Sequence, residues 1–335
     1  MTANHDPPDQ NIGAGMAALQ RGDIETALAH FVLASRTAPG DSGLLRTLAA
    51  LNQHAGLYAE AWSAAETGLA LLPEDAGFSL ARIAAMGSAG FTATALSLAR
   101  RQLLVVPGDA ALLQQFGTLL LQSGDTSGAL QAAQQALALK PDMASAHSLA
   151  AEAAYRLSDH AAARSHIDRA VALEPGNRGL RMARATMLLS LGDWHEGLKD
   201  YEARLQPDGN REIVRRGLTL PRWQGEDIGN RHLLVVCEQG VGDQLRFLRD
   251  ILAMLPFCGQ ATVECAVRLV PLFRRSLPES VAVVAARERT EGRRHIFDYD
   301  WRDGNDRPDT WIEMGSLMLR LLERGVAPDR VAEQR

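Results

Sequence analysis

The residues best placed to do chemistry form one short run, Glu238-Gln239-Gly240-Val241-Gly242-Asp243. It sets two carboxylates and two glycines after an apolar stretch, His232 to Cys237, and before an amphipathic one, Gln244 to Leu255. That order describes the end of a buried parallel strand, a turn, and the start of a helix whose free N–H groups favour anions. On spacing alone two readings stay open. Gly240-Val241-Gly242 is a phosphate-binding turn, or it is a tight strand–helix turn with Asp243 as the helix N-cap. The third glycine of a dinucleotide fingerprint is absent, because Leu245 stands there. The thiols offer less. Cys237, Cys258 and Cys265 form no CxxC pair and have no histidine at ligand spacing, so no metal site is expected. An odd, sparse count fits a reducing compartment, with the thiols serving as small apolar groups.

The elements around this run alternate. A second strand fits Ala261 to Ala266, a helix Val267 to Leu277, and a third strand Val281 to Ala285. Such alternation implies a parallel α/β sheet with right-handed connections. The chain before it is built otherwise. Pro39, Pro73, Pro107, Pro141 and Pro175 follow one another at a 34-residue step. Gly22, Gly56, Gly90, Gly124 and Gly192 keep that step, with Ser158 in the fifth place, and so do Ala27, Ala61, Ala95, Ala129 and Ala163. The glycine suits a left-handed turn, and the alanine a close helix crossing. The proline ends a helix, and Asp41, Asp75, Asp109 and Asn177 suit caps for the next one. Met143 breaks the capping pattern, with Asp142 beside it as a substitute.

Period and residue types together resemble the tetratricopeptide repeat, a helix–turn–helix of 34 residues. The resemblance implies five full repeats and a divergent sixth over residues 8–205, after a flexible N-terminus at 1–7. In that family the first helices line a concave groove that holds a protein or peptide. In register, the groove residues here are Gln53, His54, Gln114, Gln115, Thr118, Gln122, Ser148, Glu152, Tyr155 and Arg156. The same positions also read simply as solvated helix faces. Gly209 replaces the next expected proline inside the polar run Gln206 to Asn210, which places a linker at 206–230.

A second resemblance rests on Asp193 to Leu198, Tyr201-Glu202-Ala203-Arg204, Pro221-Arg222-Trp223-Gln224-Gly225, the Glu238–Gln244 run and Trp311 to Leu317. These segments look like bacterial tetratricopeptide proteins fused to heptosyltransferase-like glycosyltransferases of the GT-B fold. The implied fold class is α + α/β, an α–α superhelix followed by one Rossmann-like lobe at 231–335. The resemblance assigns Asp243 as the general base toward an acceptor hydroxyl, with Glu238, Gln239, Gly240 and Gly242 shaping the acceptor loop. From Asn210 to Arg335 there are about 125 residues, the size of one lobe. That leaves no room for a nucleotide-sugar lobe, so either the chain continues beyond Arg335 or only the first lobe was kept. No sugar transfer by this chain alone is expected and no cofactor in it, with a nucleotide sugar only if a second lobe exists. A non-catalytic adaptor, with the α/β part as a cap or docking surface, is the alternative.

The bulk numbers, 46% hydrophobic and 22% charged, suit a soluble globular protein. Net charge is -5 and aromatics make up 5%, which disfavours nucleic acid. Residues 1–20 have no apolar leader, and no run reaches a membrane span, so a cytoplasmic protein without membrane insertion is expected.

Overall fold

The computed structural model describes residues 8–206, 212–216, 218–291, 294–299 and 307–326. The expected N-terminal segment 1–7 and Gly209 lie outside the described residues. The chain forms two compact units, which divide between Leu191 and Gly192.

The first unit is an array of helices in antiparallel pairs. They are α1 (Pro8–Gln20) and α2 (Ile24–Thr37), α3 (Ser42–His54) and α4 (Tyr58–Leu71), and α5 (Ala76–Ser88) and α6 (Thr92–Val105). Then follow α7 (Ala110–Gln122) and α8 (Thr126–Leu139), α9 (Ala144–Arg156) and α10 (His160–Leu173), and α11 (Arg178–Ser190). The periodic residues do what their chemistry requires. Gly22, Gly56, Gly90, Gly124 and Gly192 all have positive φ, between 75° and 92°. Ala27, Ala61, Ala95, Ala129 and Ala163 are all buried where the paired helices meet. Asp41, Asp75, Asp109 and Asn177 each accept from a backbone N–H in the first turn of the following helix. Asp142 does not stand in for the cap missing at Met143. Met143 occupies the cap position without a side-chain bond, and Asp142 pairs with Arg169 at 2.5 Å instead. Aspartates also cap second helices, at Asp23, Asp125 and Asp159.

Ser158 occupies the glycine turn position at φ 62°, the one non-glycine with positive φ among the described residues. A Cβ in this region costs about 1–2 kcal/mol. Ser158→Gly is therefore expected to stabilise the array by about 1 kcal/mol, less some unfolded-state entropy, which a rise in the urea midpoint would register. No change or a fall would contradict this reading.

The second unit begins with α12 (Trp194–Tyr201) and a 3-10 turn at Glu202–Leu205. The divide thus falls at Gly192, ahead of the 205 boundary expected from the repeat. The unit's main sheet is four-stranded and parallel, in the order β4-β3-β2-β7. Its strands are β2 (His232–Val236), β3 (Gln260–Cys265), β4 (Val281–Ala285) and β7 (Thr310–Glu313). A smaller sheet, β1-β6-β5, joins β1 (Glu212–Arg216), β6 (Arg294–Asp298) and β5 (Glu288–Glu291). β1 lies inside the segment expected to be a linker. Helices α13 (Val241–Met254), α14 (Val270–Ser276) and α15 (Leu317–Glu323) complete the unit.

β2 is buried along its whole length, as its unbroken apolar run requires. Pro221-Arg222-Trp223 runs beside β7, with Trp223 N–H donating to the Trp311 carbonyl at 2.7 Å. Trp223 is thereby fully buried, its indole N–H donating to the Glu226 carbonyl. Among the described residues, no helix is long and apolar enough to cross a membrane.

Candidate functional site

The direction in which strands are added to the main sheet reverses between β2 and β7. The Glu238–Gly242 loop leaves the carboxyl end of β2 at this point, and Gly240 is the N-cap of α13. Asp243 is therefore not the N-cap. It stands in the first helical turn, 41% exposed, with Arg246 3.7 Å away. Neither Gly240 nor Gly242 has positive φ, and a Cβ on either would meet nothing within 4 Å. The backbone here does not require glycine, and both positions are exposed. Gln244 fastens the loop from behind. Its Nε2 donates to the Gln239 carbonyl at 2.8 Å, and its Oε1 accepts from Ala266 N–H at 2.9 Å.

Glu238 differs from its neighbours in being buried. Its Oε1 accepts from Arg204 Nε at 3.1 Å, Arg204 Nη2 at 3.0 Å and Gly315 N–H at 3.2 Å. Oε2 has no partner among the described residues. Burial pushes the Glu238 carboxyl above its ordinary range, although Arg204 opposes it. Around the pair lies a charge network. Arg204 Nη1 reaches Glu202 at 2.8 Å, and Arg222 bridges Glu202 at 2.8 Å and Glu313 at 2.6 Å. Ser316 Oγ accepts from Arg204 and Arg222 and donates to Glu202 at 2.6 Å. Burial pushes Glu202 up, but Arg204, Ser316 and Arg222 outweigh it and hold this carboxyl below its usual value.

Beneath the loop, Arg215 Nη1 donates to the Tyr299 hydroxyl at 2.6 Å, and Cys237 Sγ lies 3.4 Å from Glu264. Burial pushes the Cys237 thiol well up and those of Cys258 and Cys265 up to about 11. They remain protonated at neutral pH and are not nucleophiles. Sequence reasoning missed Arg204, Arg222, Ser316 and Glu313 as parts of this site. They lie in segments that carry the second resemblance, but nothing local assigns them to this site, because their partners are distant in the chain.

Asp250, on the buried side of α13, is pushed up to about 6 by burial, with Arg249 opposing. Arg249 Nε is 3.6 Å from Oδ1, beyond hydrogen-bond range, and Oδ1 has no other partner among the described residues. A carboxyl raised in the folded state from 3.8 favours folding most below pH 3.8, and that advantage is lost as pH rises through 6. Asp250→Asn is therefore expected to stabilise the protein by about 2–3 kcal/mol at pH 8 and hardly at all at pH 4. Urea midpoints at the two pH values measure this. Equal shifts at both would contradict it.

On the first unit, the first-helix polar residues form bonds between repeats as well as facing outward. Gln53 Nε2 donates to Ser88 Oγ at 2.8 Å, joining α3 to α5. The Tyr155 hydroxyl donates to Ser190 Oγ at 2.8 Å, joining α9 to α11. Arg156 pairs with Glu152 at 2.6 Å and reaches back to the Leu121 carbonyl at 3.4 Å. Gln114 donates to Thr118 at 3.0 Å within α7. Gln115 and Ser148 are half-buried, whereas His54 and Gln122 are exposed.

Residues 115–178 and 148–210 match the tetratricopeptide repeat family model. The subunits of an APC/C hetero-tetramer, Cut9–Hcn1, include a chain with the same fold, at TM-score 0.51 and 18% identity over 60% of this chain and 41% of that one. TTC0263, a tetratricopeptide protein of Thermus thermophilus, superposes at TM-score 0.48 with 25% identity, over 54% of this chain and 99% of its own. The helical array is thus a tetratricopeptide-type superhelix. The chain is also 34% identical to the protein FlbA of Caulobacter vibrioides over 145 residues. That match covers 42% of this chain and 24% of FlbA, so it spans about a quarter of the relative.

Proposed function

We propose that the chain is a protein-interaction scaffold that holds a polypeptide against the first-helix face of its superhelix. The observation that carries this reading is the set of half-exposed polar side chains on α7 and α9, held in place by their own hydrogen bonds. Groups already fixed in geometry lose little entropy when a peptide docks. Peptides selected from a random twelve-residue display library serve as probes. Tyr155→Ala and Arg156→Ala are each expected to weaken such peptides at least tenfold by calorimetry, with the helical circular dichroism unchanged. Unaltered affinity in both variants would overturn the assignment of this face.

The finer reading is that the second unit is a Rossmann-like, acceptor-side lobe of a GT-B glycosyltransferase, with the superhelix delivering a protein acceptor. It is supported by the motif resemblance and by the reversal of strand order beside the Glu238–Gly242 loop, where open α/β sheets bind ligands. Asp243 is then the general base, and its partly exposed carboxylate suits that task. The nucleotide sugar would be held by a second lobe, and the work done in the cytoplasm.

One observation favours the alternative of a non-catalytic cap or docking surface. Glu238 and Arg204 fill the sheet edge with a buried ion pair, which leaves Glu238 no access to an acceptor.

A further inference from the structure

The face built by the second helices carries two clefts that the repeat relates to each other. The first, of about 470 Å³, opens between α2 and α4 over α3. Buried Leu28 and Leu48 line its inside, and exposed Val32 and Leu57 stand at its edge. The second, of about 400 Å³, lies against α6 and is lined by Arg82, Leu98, Arg101, Gln102 and Val105. Leu48, Ala64 and Thr67 of the first recur one 34-residue step later as Arg82, Leu98 and Arg101 of the second. They are successive copies of one inter-repeat site, the first apolar and the second basic. At the next step Phe116 takes the place of Leu48 and Arg82, and its ring packs among the core of Ile83, Ala95 and Leu112.

The second cleft is basic, with Arg82 partly compensated and Arg101 at its rim. Arg82 Nη1 pairs loosely with Glu66 at 3.7 Å, a carboxylate that also accepts from the Trp62 indole, while Arg82 Nε is buried without a hydrogen-bond partner among the described residues. Arg101 is exposed and has no ion pair among the described residues. Beside it, Leu104 is 86% and Val105 79% exposed, two adjacent aliphatic side chains on a helix end.

We propose that this face is a second docking track, which takes a peptide segment bearing an apolar side chain followed by a carboxylate. The apolar group enters the cleft at Leu28 and Leu48, and the carboxylate meets Arg82 and Arg101. Leu48 and Arg82 stand on α3 and α5, the first helices of adjacent repeats, which touch each other. Touching helices lie about 8–10 Å apart and an extended chain rises about 3.3 Å per residue, so the two side chains stand about three residues apart. Only a chain-like ligand spans both clefts, and the arginines select its charge. This track is distinct from the first-helix face and does not depend on it.

Fluorescence anisotropy with labelled ten-residue peptides on a Gly/Ser background tests the proposal on the full chain. A peptide with Leu-x-x-Glu is expected to bind at least tenfold more tightly than its Leu-x-x-Lys and Ala-x-x-Glu counterparts. Arg101→Glu is expected to reverse the preference toward the lysine peptide. Ser63→Trp, at an exposed position lining the first cleft, is expected to remove the leucine dependence. Tyr155→Ala, on the other face, is expected to change nothing. Equal affinity for all three peptides, or indifference to Arg101→Glu, overturns the proposal. So does a dimer in sedimentation that Leu104→Glu dissociates, which would assign the face to a second copy. Peptide-independent binding to phosphatidylglycerol vesicles, lost in Arg101→Glu, would assign it to a membrane surface and likewise overturn it.

Discussion

Arg204→Ala is expected to cost the second unit about 3–5 kcal/mol, because it removes one partner of a buried ion pair and leaves the other without compensation. The side chains of Arg204 and Glu238 are only 3% and 1% exposed. Arg204 donates to Glu238, Glu202, Ser316 and the Tyr201 carbonyl, and its guanidinium lies 4.4 Å over the Tyr201 ring. Burial lowers the guanidinium's affinity for its proton, but Glu238 and Glu202 outweigh this and raise it. Alanine supplies none of those donors, and a lysine cannot reproduce the planar fork. Glu238→Gln, which keeps an acceptor and removes a charge already disfavoured by burial, is expected to cost less than half as much. In a Trp62→Phe background every remaining tryptophan lies in the second unit, so fluorescence in urea reports on that unit alone. A loss below 1 kcal/mol for Arg204→Ala would contradict the reading that this pair holds α12 and its turn to the sheet.

Phe78→Ala is expected to cost about 3–5 kcal/mol in the first unit, and Gly68→Ala about 1–3 kcal/mol by the opposite mechanism. The Phe78 ring is fully buried and lies directly over Gly68, where a Cβ would stand 2.3 Å from the ring. One change empties this space and the other overfills it. The repeat shows what should compensate. At the equivalent positions Ala34 accompanies Leu44, and Ala170 accompanies Leu180, all four buried. Gly68→Ala with Phe78→Leu reproduces that pairing and is expected to recover most of the loss, giving a coupling energy above 1 kcal/mol in a double-mutant cycle. Strict additivity would show that the ring and the glycine are not matched. Arg46 adds to the site from outside, with its guanidinium 4.4 Å from the Phe78 ring centre and bonded to the Asp75 cap at 2.7 Å.

The superhelix was legible in the sequence because backbone geometry dictates its punctuation. A left-handed turn, a helix stop and a capped start each demand a particular residue, and the 34-residue step repeats the demand. Gly22 and its copies, Pro39 and its copies, and the capping aspartates are therefore readable one at a time. Three strands of the main sheet were legible from the apolar run at β2 and the strand–helix alternation after it, but β7 was not. The small sheet was not. β1 and β5 read Glu-Ile-Val-Arg-Arg and Glu-Arg-Thr-Glu, with charged residues at their ends and no clean alternation. Nor did local pattern reveal the commitment of Arg204 to Glu238 and Ser316, which lie 34 and 112 residues away. α12 also packs on α15, which sets it in the second unit. On the first-helix face the sequence indicated which positions are polar. It did not show that Gln53 and Tyr155 bond to serines of the next repeat.

The most direct test of the scaffold reading is to ask where a bound peptide touches the chain. Benzoylphenylalanine placed at Gln122 on the first-helix face, at Gln135 on a second helix, or at Arg246 beside the acceptor loop will photocross-link whatever lies within reach. All three positions are exposed. With library-selected peptides, the scaffold reading predicts strong cross-linking at Gln122 that unlabelled peptide competes away, and background at the other two. Cross-linking confined to Arg246, or equal at all three positions, would contradict it.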